Sequence, residues 1–514
     1  MEKLKKFCQV HRNVYIYGAG EYGLYFLRAV EQTGERVAGF IISNGDTVKQ
    51  YGLPVYTKDE VRKFLMSNDG VIAGFKLVGR DQIQKLLKIK IDVFSVDDYI
   101  VPLLEEYKEK FPVNKPIASK SWENILIIRL DVIGDMVFTT PFIRELRRNY
   151  PNSHITLVAR TQNETILRGC PYVSELLLYE CELLENIIES CFQIKSIKER
   201  VGKFVRANLV NRQYDVVFLP RDIFLGRNCV DEFLMAVCSN ARYRIGRAMT
   251  NSNEKLYELV FEMMSFVKFA DRPMHEAEYV LDMLQAVGMK IENKKMELWP
   301  GESAIKAAQK MLSKDNSDGV RRIAVGLASR DNARTWNPDN YRELFERLGK
   351  YYHGAIEFVL LGSDESLTAS KRLDGLGNVI DLVQKTTISE AIACVSLCDL
   401  YLGSNTSILH FASAMEVPVV EISCWLQNGD KKHRMAPHRM GAYGVESISL
   451  FPPHGIDGCS GACRKPYSHC INLITVDDVA NAVKNMIDKL EDLNYKAEIG
   501  FCDSCRKTHK KVYE

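Results

Sequence analysis

Short apolar runs alternate with helical stretches in three successive series, and this alternation restricts the fold more than any other feature of the sequence. The series begin at Val14-Tyr-Ile-Tyr, Ile125-Leu-Ile-Ile and Arg322-Ile-Ala-Val. Strands that alternate with helices build parallel sheets covered by helices. The chain has 514 residues, and one hydrophobic core serves at most about 250–300 residues. The sequence therefore predicts an α/β protein of several domains.

Composition and charge exclude several classes of protein. Hydrophobic residues make up 46% and charged residues 26% of the chain, which is typical of a globular protein and excludes a largely disordered one. The 68 Lys and Arg residues nearly balance the 66 Asp and Glu residues, so no strong positive field favours nucleic acid. Neither a signal-peptide pattern nor an apolar run of about 18 residues is found. We expect a cytoplasmic protein without a transmembrane segment, for which peripheral contact with the inner face of the membrane stays open.

The three series divide the chain into a small Rossmann-like N-terminal domain, two further Rossmann-like domains and a cysteine-containing tail, over residues 1–112, 123–300, 301–490 and 491–514. The boundary after the first domain is the stretch 111–120, which carries two prolines and no periodicity. Open α/β sheets bind ligands at the carboxyl ends of their strands. The residues that follow each strand are therefore the candidates for function.

A glycine pattern follows the first strand of the N-terminal domain. Gly18, Gly20 and Gly23 form the G-x-G-x-x-G turn that is typical of dinucleotide-binding sites. In such sites an acidic residue about 20 residues further on binds the ribose hydroxyl. Here the second predicted strand ends at Asn44, and the next acid, Asp46, lies in the loop that follows. NAD is therefore disfavoured. A nucleotide-sugar ligand, a non-binding scaffold and an oligomerisation role stay open, with the last two preferred.

Gly134-Asp135 follows the first strand of the second series and precedes a helical stretch. Glycine permits close approach of a ligand, and a carboxylate at this edge can serve as a general base. The alternative is that Asp131 or Asp135 only caps the helix. The pattern alone favours capping.

Two loops of the third series carry groups that suit phosphates. Arg334 lies before a helix, where arginine and backbone N–H groups bind a diphosphate; the alternative is a solvated loop with Trp336 packed inward. Thr406 and Ser407 lie at a strand-to-helix turn, and His410 lies inside the apolar helix that follows. The pattern alone favours a hydrogen-bonded core histidine at position 410.

These motifs, in this order and spacing, resemble glycosyltransferase family 9, which contains the ADP-heptose:lipopolysaccharide heptosyltransferases. The resemblance covers about residues 123–487 and is carried by Ile125–Arg147, His275-Glu-Ala-Glu-Tyr, Arg334-Thr-Trp-Asn-Pro, Gly403-Ser-Asn-Thr-Ser-Ile-Leu-His and the cluster Cys459, Cys463 and Cys470. It implies a GT-B pair of Rossmann-like domains, the first binding the acceptor and the second the nucleotide sugar.

The resemblance also implies a role for each site residue. Asp135 falls on the general base, Arg334 on a residue that meets the donor phosphates, and Thr406, Ser407 and His410 on the phosphate-binding turn and helix. Many members of the family have an Asp where this chain has Asn405. That difference puts heptose as the donor sugar in question.

The resemblance predicts an inverting glycosyltransferase that needs no cofactor for catalysis. Its donor is a nucleoside diphosphate sugar, with ADP-heptose the first choice, and its acceptor is a hydroxyl of a glycan, a glycolipid or a protein. The alternatives are a catalytically inactive sugar-nucleotide-binding subunit and an NAD-dependent sugar-nucleotide oxidoreductase. The oligomeric state stays open, a homo-oligomer included. If the N-terminal domain is a scaffold, a chain that starts near Pro116 is expected to keep activity.

The C-terminal cysteines are spaced like metal ligands. Cys459 and Cys463 form one pair, and Cys502 and Cys505 form a C-x-x-C pair. Thiolates at such spacing bind zinc or iron, but the 31 residues between Cys470 and Cys502 weaken the pattern. A structural zinc or iron and free thiols are equally good interpretations.

Overall fold

The computed structural model describes residues 1–43, 52–74, 80–115, 121–184, 186–224, 227–248, 254–270, 273–312, 319–429, 436–456, 459 and 467–499. Within these residues the chain forms three parallel sheets with helices on their faces. The α/β fold class predicted from the sequence is confirmed.

The first sheet belongs to an N-terminal unit. Its strands are β1 Val14–Tyr17, β2 Gly39–Ile42, β3 Val55–Thr57, β4 Gly70–Ala73 and β5 Asp92–Phe94. Its helices are α1 Glu2–Val10, α2 Glu21–Gln32, α3 Lys58–Val61, α4 Arg80–Leu87 and α5 Asp97–Lys110. The strand order is β3-β2-β1-β4-β5, and all neighbours are parallel.

The second sheet forms a central unit. Its strands are β6 Asn124–Arg129, β7 His154–Arg160, β8 Glu175–Tyr179, β9 Val216–Asp222, β10 Tyr243–Ala248 and β11 Phe266–Phe269. Its helices are α6 Ile133–Val137, α7 Thr140–Asn149, α8 Glu164–Leu167, α9 Ile187–Phe192, α10 Ile194–Asn208, α11 Cys229–Cys238, α12 Glu254–Met263 and α13 Glu276–Ala286. The strand order is β11-β10-β9-β6-β7-β8.

The third sheet forms a C-terminal unit. Its helices are α14 Glu302–Leu312, α15 Pro338–Tyr351, α16 Asp364–Lys371, α17 Ile388–Ser396, α18 Ser407–Ala414, α19 Pro437–Met440 and α20 Val476–Ile499. Its strands are β12 Arg321–Gly326, β13 Ile356–Leu361, β14 Val379–Asp381, β15 Leu400–Gly403, β16 Val419–Ile422 and β17 Ser447–Leu450. The strand order is β14-β13-β12-β15-β16-β17.

The central and C-terminal sheets share one connectivity. In each, the first strand lies in the middle, the second and third strands follow on one side, and the fourth to sixth follow on the other. This is the doubly wound order, and its ligand crevice opens where the first and fourth strands are neighbours. The crevices therefore lie at the carboxyl ends of β6 and β9 and of β12 and β15.

Four strands of the structure are not predicted from apolar runs in the sequence. Three of them, β3, β11 and β17, are only three or four residues long. The fourth, β10, contains Arg244 and Arg247, both fully buried. The guanidinium of Arg244 donates to the carbonyl oxygens of Phe111 and Pro112, each at 3.1 Å. A buried arginine satisfied by backbone carbonyls is not detectable as a strand residue from hydropathy.

The N-terminal unit shares its apolar core with the central unit. One continuous cluster of buried side chains runs from α1 and α2 to α9, α10 and α12. Phe192 of α9 packs edge-on against Phe26 and Tyr99 of the N-terminal unit, with ring centroids 6.1 and 5.7 Å apart. At the rim, Lys108 of α5 pairs with Glu262 of α12 at 2.7 Å. The two units therefore form one folded body rather than two modules on a linker.

Helices in the described ranges are all too short or too polar to span a lipid bilayer.

Candidate active site

Two glycines bring the middle strands of the C-terminal sheet together at their carboxyl ends. Gly326 of β12 pairs with Gly403 of β15. A Cβ at Gly403 would lie 2.3 Å from the carbonyl oxygen of Gly326, and the φ of Gly403 is +147°. Only glycine fits this close approach. It places the turn 404–406 directly at the crevice.

The turn after β15 is tied to the rest of the C-terminal unit through Asn405. The Asn405 amide nitrogen donates to Oε1 of Glu421 at 3.1 Å and to the carbonyl oxygen of Met440 at 2.9 Å. Glu421 is fully buried, and burial raises the pKa of its carboxyl group. A carboxylate at position 405 would face another acid here, so the amide suits this turn better than the family's aspartate.

The loop that carries Arg334 touches the same turn. Residues Asn332–Arg334 form a 3₁₀ helix, and the hydroxyl of Ser404 donates to the carbonyl oxygen of Arg334 at 2.5 Å. The Arg334 side chain is about a quarter exposed, and its Nε lies 3.4 Å from Asp331. Trp336 is fully buried, and its Nε1 donates to the carbonyl oxygen of Ile474 at 2.9 Å. Trp336 thus packs inward while Arg334 keeps access to the crevice.

Helix α6 of the central unit faces helix α18 of the C-terminal unit. A Cβ on Gly134 would lie 3.0 Å from Cδ2 of His410 and 3.4 Å from Oγ of Ser407. Asp135, the next residue of α6, is partly exposed. The structure therefore brings the predicted base beside the predicted phosphate-binding helix, although the two segments are about 270 residues apart in sequence.

Two carboxylates four positions apart have opposite electrostatic environments. Burial and then the neighbouring charge of Asp131 raise the pKa of Asp135 to about 6. Burial opposes ionisation of Asp131 as well, but the guanidiniums of Arg221 and Arg129, at 2.6 and 3.2 Å, hold its pKa below the ordinary value. Asp131 is therefore a fixed anion, and Asp135 titrates near neutral pH. Such divergence between neighbouring acids is typical of a catalytic pair.

His410 and His275 are neutral side chains at the contact between the two units. Burial lowers the pKa of His410 to about 3 and that of His275 to about 4. The ring of Phe138 packs against both of them, with its centroid 4.5 Å from that of His410 and 5.3 Å from that of His275. His410 is buried as the helix pattern predicts, but its Nδ1 has no hydrogen-bond partner in the described chain. A hydrogen-bonded core histidine, the interpretation that the pattern alone favours, does not account for this Nδ1.

The site contains a second charged cluster that was not predicted from the sequence. Arg439 of α19 reaches across to the central unit, where its Nη2 lies 2.9 Å from Glu276 and 3.4 Å from Asp222. Arg247 of β10 contacts the same two acids at 3.6 and 3.2 Å. Glu276 lies in the His275-Glu-Ala-Glu-Tyr motif, which was the one available signal. No local pattern marks Arg439.

The C-terminal cysteines are described only in part. Sγ of Cys459, Sγ of Cys470 and a ring nitrogen of His469 lie within 4.8 Å of one another. The backbone N–H of Ile456 donates to Sγ of Cys470 at 3.3 Å. Of the predicted metal ligands, Cys463, Cys502 and Cys505 lie outside the described residues. The cluster thus includes Cys459 as predicted, together with a histidine and a cysteine that were not assigned as ligands.

The glycine turn of the N-terminal unit is tightly packed. Gly18 has a φ of +106°, and a Cβ on Gly23 would lie 2.0 Å from the carbonyl oxygen of Gly18. Gly20 immediately precedes α2 in extended conformation. Tyr17 and Ser43 share a hydrogen bond of 2.8 Å at the ends of β1 and β2; Asn44 and Asp46 lie outside the described residues. The positive φ accounts for glycine at position 18, and tight packing accounts for it at position 23.

Sequence comparison identifies relatives of the chain. Residues 257–423 match the family model described as glycosyltransferase family 9 (heptosyltransferase). Lipopolysaccharide heptosyltransferase 3 of Escherichia coli K12 is 22% identical over 297 residues, which are 56% of this chain and 79% of that protein. Lipopolysaccharide heptosyltransferase 2 of Salmonella typhimurium LT2 is 22% identical over 308 residues, or 58% of this chain and 82% of that protein. The chain is therefore similar to glycosyltransferase family 9.

Solved structures agree with this family in fold. The family 9 glycosyltransferase of Veillonella parvula matches with a TM-score of 0.58 at 16% identity, over 73% of this chain and 100% of that one. The Escherichia coli ADP-heptose lipopolysaccharide heptosyltransferase II matches with a TM-score of 0.52 at 16% identity, over 72% of this chain and 99% of that one. The central and C-terminal units therefore form the GT-B pair that the sequence predicts. The chain is thus a heptosyltransferase-like glycosyltransferase, and its N-terminal unit is an addition to the pair.

Proposed function

We propose that this glycosyltransferase is inverting and metal-independent, and that Asp135 is its general base. The observation that carries the proposal is the position of Asp135, partly exposed on a helix that faces the phosphate-binding helix α18. A single displacement needs one base to take the proton of the acceptor hydroxyl. The neighbouring acid, Asp131, is held by two guanidiniums and is therefore unsuited to act as a nucleophile in a double displacement.

In the proposed reaction, the acceptor oxygen attacks the anomeric carbon of the donor as its proton passes to the Asp135 carboxylate. The bond from the anomeric carbon to the diphosphate oxygen breaks, and the nucleoside diphosphate leaves with the bonding electron pair. Arg334 and the free N–H groups at the start of α18, beside Thr406 and Ser407, stabilise the departing charge. Because the His410 side chain is neutral, it places no positive charge next to the proposed base.

We propose that the donor is a nucleoside diphosphate sugar. ADP-heptose is the first candidate, because the name of the structural relative from Escherichia coli includes it. The acceptor is a hydroxyl of a glycan or glycolipid, as in lipopolysaccharide synthesis, or of a protein. We place the reaction in the cytoplasm, where nucleotide sugars are available. The hydrogen bonds of Asn405 support an active enzyme over an inactive binding subunit, because the amide has a structural role in the turn.

We also propose that Cys459, His469 and Cys470 hold a structural zinc or iron ion. Sulfur and imidazole donors suit either metal, and the proximity of the three ligand atoms supports the assignment. A structural ion would tie residue 459 to the 3₁₀ helix Cys470–Leu473, which packs against Asn332–Arg334. Metal analysis of the purified protein and of Cys470→Ser tests this; equal metal content in both proteins contradicts it.

The N-terminal unit, we propose, is a scaffold rather than a nucleotide-binding domain. Its core is continuous with that of the central unit, and backbone conformation at Gly18 and tight packing at Gly23 account for the glycines at both ends of the turn. Gly20→Val tests the proposal, because Val would block the approach of a phosphate to the turn. Unchanged turnover is expected, and an inactive but folded variant would contradict the scaffold role.

The proposed reaction is tested by incubating the full-length chain with nucleotide sugars, beginning with ADP-heptose, and an acceptor extract. Mass spectrometry detects the transferred sugar, NMR gives its anomeric configuration, and EDTA added during the assay tests metal independence. We expect inverted product in the presence of EDTA, and its formation by Asp135→Asn to be slower by roughly 100-fold or more. Product of retained configuration would overturn the mechanism, and absence of product with every donor would overturn the function.

A further inference from the structure

A short segment of the C-terminal unit spans the contact with the central unit. Residues 436–443, here called the interdomain strap, include helix α19 and lie between β16 and β17. The strap makes polar contacts in both directions. It therefore links the two halves of the GT-B pair at a place outside the direct contact between α6 and α18.

On one side, the strap is anchored to the donor-binding elements. Its Met440 carbonyl oxygen accepts a hydrogen bond from the amide of Asn405, at 2.9 Å. The backbone N–H of Tyr443 donates to the hydroxyl of Ser413, in helix α18, at 3.3 Å. A Cβ on Gly441 would lie 2.9 Å from a carboxylate oxygen of Glu421. Movement of the strap is thus coupled to the turn 404–406 and to α18.

On the other side, the strap docks on the start of helix α13 in the central unit. His275 accepts from the N–H of Ala277 through Nδ1, so its Nε2 carries the proton and donates to the carbonyl oxygen of Gly441 at 3.1 Å. The His275 ring stacks on Tyr443 with centroids 4.3 Å apart. The Tyr443 hydroxyl donates to Glu278 at 3.3 Å.

The strongest contact of the strap joins a buried charge cluster of the central unit. Asp222 and Glu276 are nearly buried, with side chains 3% and 8% exposed, and Arg247 pairs with both. Arg439, 12% exposed, adds a positive charge from the other unit beside the same two acids, and removing one partner from such a buried cluster is costly. Its guanidinium also lies over the ring of Tyr279, 4.8 Å from the centroid.

We propose that Arg439 is a positioning residue that holds the two halves of the enzyme in the arrangement in which helix α6, which carries Asp135, faces helix α18. It acts through Glu276 and Asp222 and touches neither substrate. The strap is hydrogen-bonded to Asn405 and Ser413. The ion pairs of Arg439 with Glu276 and Asp222 therefore fix the position of the turn 404–406 relative to α6. The role in turnover rests on the proposed function, whereas the role in joining the halves does not.

The kinetic test compares Arg439→Met, which keeps the length of the side chain and removes its charge, with the wild-type enzyme. We expect kcat to fall about 10- to 100-fold, because small misplacements of reacting groups have effects of that order. The affinity for ADP, measured by calorimetry, stays within about twofold, because the proposed phosphate-binding groups lie in the C-terminal unit alone. Loss of ADP affinity in proportion to kcat would overturn the proposal, since Arg439 would then contact the donor.

Glu416→Gln is the matched control. Lys295 and Glu416 also form an ion pair across the two units, at 2.9 Å, but both side chains are more than half exposed. Exposed pairs contribute little, so this variant is expected to keep the wild-type kcat. An equal fall of kcat in Glu416→Gln and Arg439→Met would show that any charge change at the contact is sufficient, and would overturn a specific role for Arg439.

Small-angle X-ray scattering tests the arrangement without reference to activity. Arg439→Met and the isosteric variant Glu276→Gln are both expected to have a larger radius of gyration than the wild type and Glu416→Gln. The double variant is expected to be no more expanded than either single one, since both remove the same contact. Unchanged scattering in both folded variants would overturn the proposal. If the chain transfers no sugar, the proposed function fails and scattering alone decides whether the strap joins the halves.

Discussion

At the scale of single residues, Asp135 differs from the neighbouring Asp131 in that its pKa is raised, to about 6, whereas that of Asp131 is lowered. Only the deprotonated carboxylate can accept the acceptor's proton. We predict that kcat/KM is constant at high pH and falls as the pH drops through about 6. Asp135→Asn is expected to lower kcat by roughly 100- to 10,000-fold with ADP affinity nearly unchanged. Turnover close to wild type in this variant would move the role of base to Asp131.

Arg334 gives a prediction about the donor. Its side chain is partly exposed at the crevice, and a charge-assisted hydrogen bond contributes about 1.5–3 kcal/mol. Arg334→Ala should therefore weaken ADP binding about 10- to 100-fold, as measured by calorimetry. Arg330 of the same loop is the control, because its side chain is 65% exposed, and Arg330→Ala should bind ADP nearly as well as the wild type. Equal affinity in both variants would mean that Arg334 does not meet the phosphates.

Asn405 gives a prediction about stability. Asn405→Asp restores the residue found in many family members, but it replaces the amide donor to buried Glu421 by a second acid. We expect a loss of roughly 2–4 kcal/mol in the free energy of unfolding, measured by urea denaturation. Asn208→Asp, at an exposed position on α10, should change it by less than about 0.5 kcal/mol. A variant as stable as the wild type would show that Glu421 is protonated or that the turn rearranges.

At the scale of elements, the contact between α6 and α18 is tight at Gly134. Gly134→Ala would place its methyl group 3.0 Å from the His410 ring, so the ring or one of the helices must move by a few tenths of an ångström. We expect kcat to fall about 10- to 100-fold with little loss of thermal stability. Gly202→Ala is the control, because its neighbour is the flexible end of Arg206, 3.3 Å away. That change should preserve kcat and stabilise α10 by about 0.5–1 kcal/mol.

Some strands and site residues can be predicted from the sequence, and others cannot. Strands such as β6 and β12 are continuous apolar runs because both faces are covered, and the position of Asp135 after β6 follows from that pattern. Strand β10 contains two buried arginines, whose partners are carbonyls and acids far along the chain, so no local pattern reveals it. The same reason hides Arg439: its partners Asp222 and Glu276 belong to the other half of the enzyme.

At the scale of the whole molecule, the shared core changes the expectation for a shortened chain. Residues 123–487 contain both sheets of the GT-B pair, but removal of the N-terminal unit uncovers the apolar side of α9 and α12. We predict that a chain starting near Pro116 unfolds at a lower temperature than the full-length protein and aggregates, as measured by thermal denaturation and light scattering. Equal melting temperatures would contradict the shared core.

Phe192→Ala is a gentler version of the same test. It removes the ring that packs against Phe26 and Tyr99, and we expect a loss of roughly 2–3 kcal/mol in the free energy of unfolding. The variant keeps the whole chain, so its effect reports the contact between the units and not the absence of a domain.

The pairing of α5 with α12 also has a consequence for synthesis on the ribosome. Lys108 meets Glu262, 154 residues later in the chain. Protein synthesis proceeds at about 5–20 residues per second. The face of the N-terminal unit that contacts α12 is therefore exposed to water for on the order of 10 s before α12 is synthesised. During that interval the nascent chain presents an apolar surface, which is the kind of surface that chaperones bind.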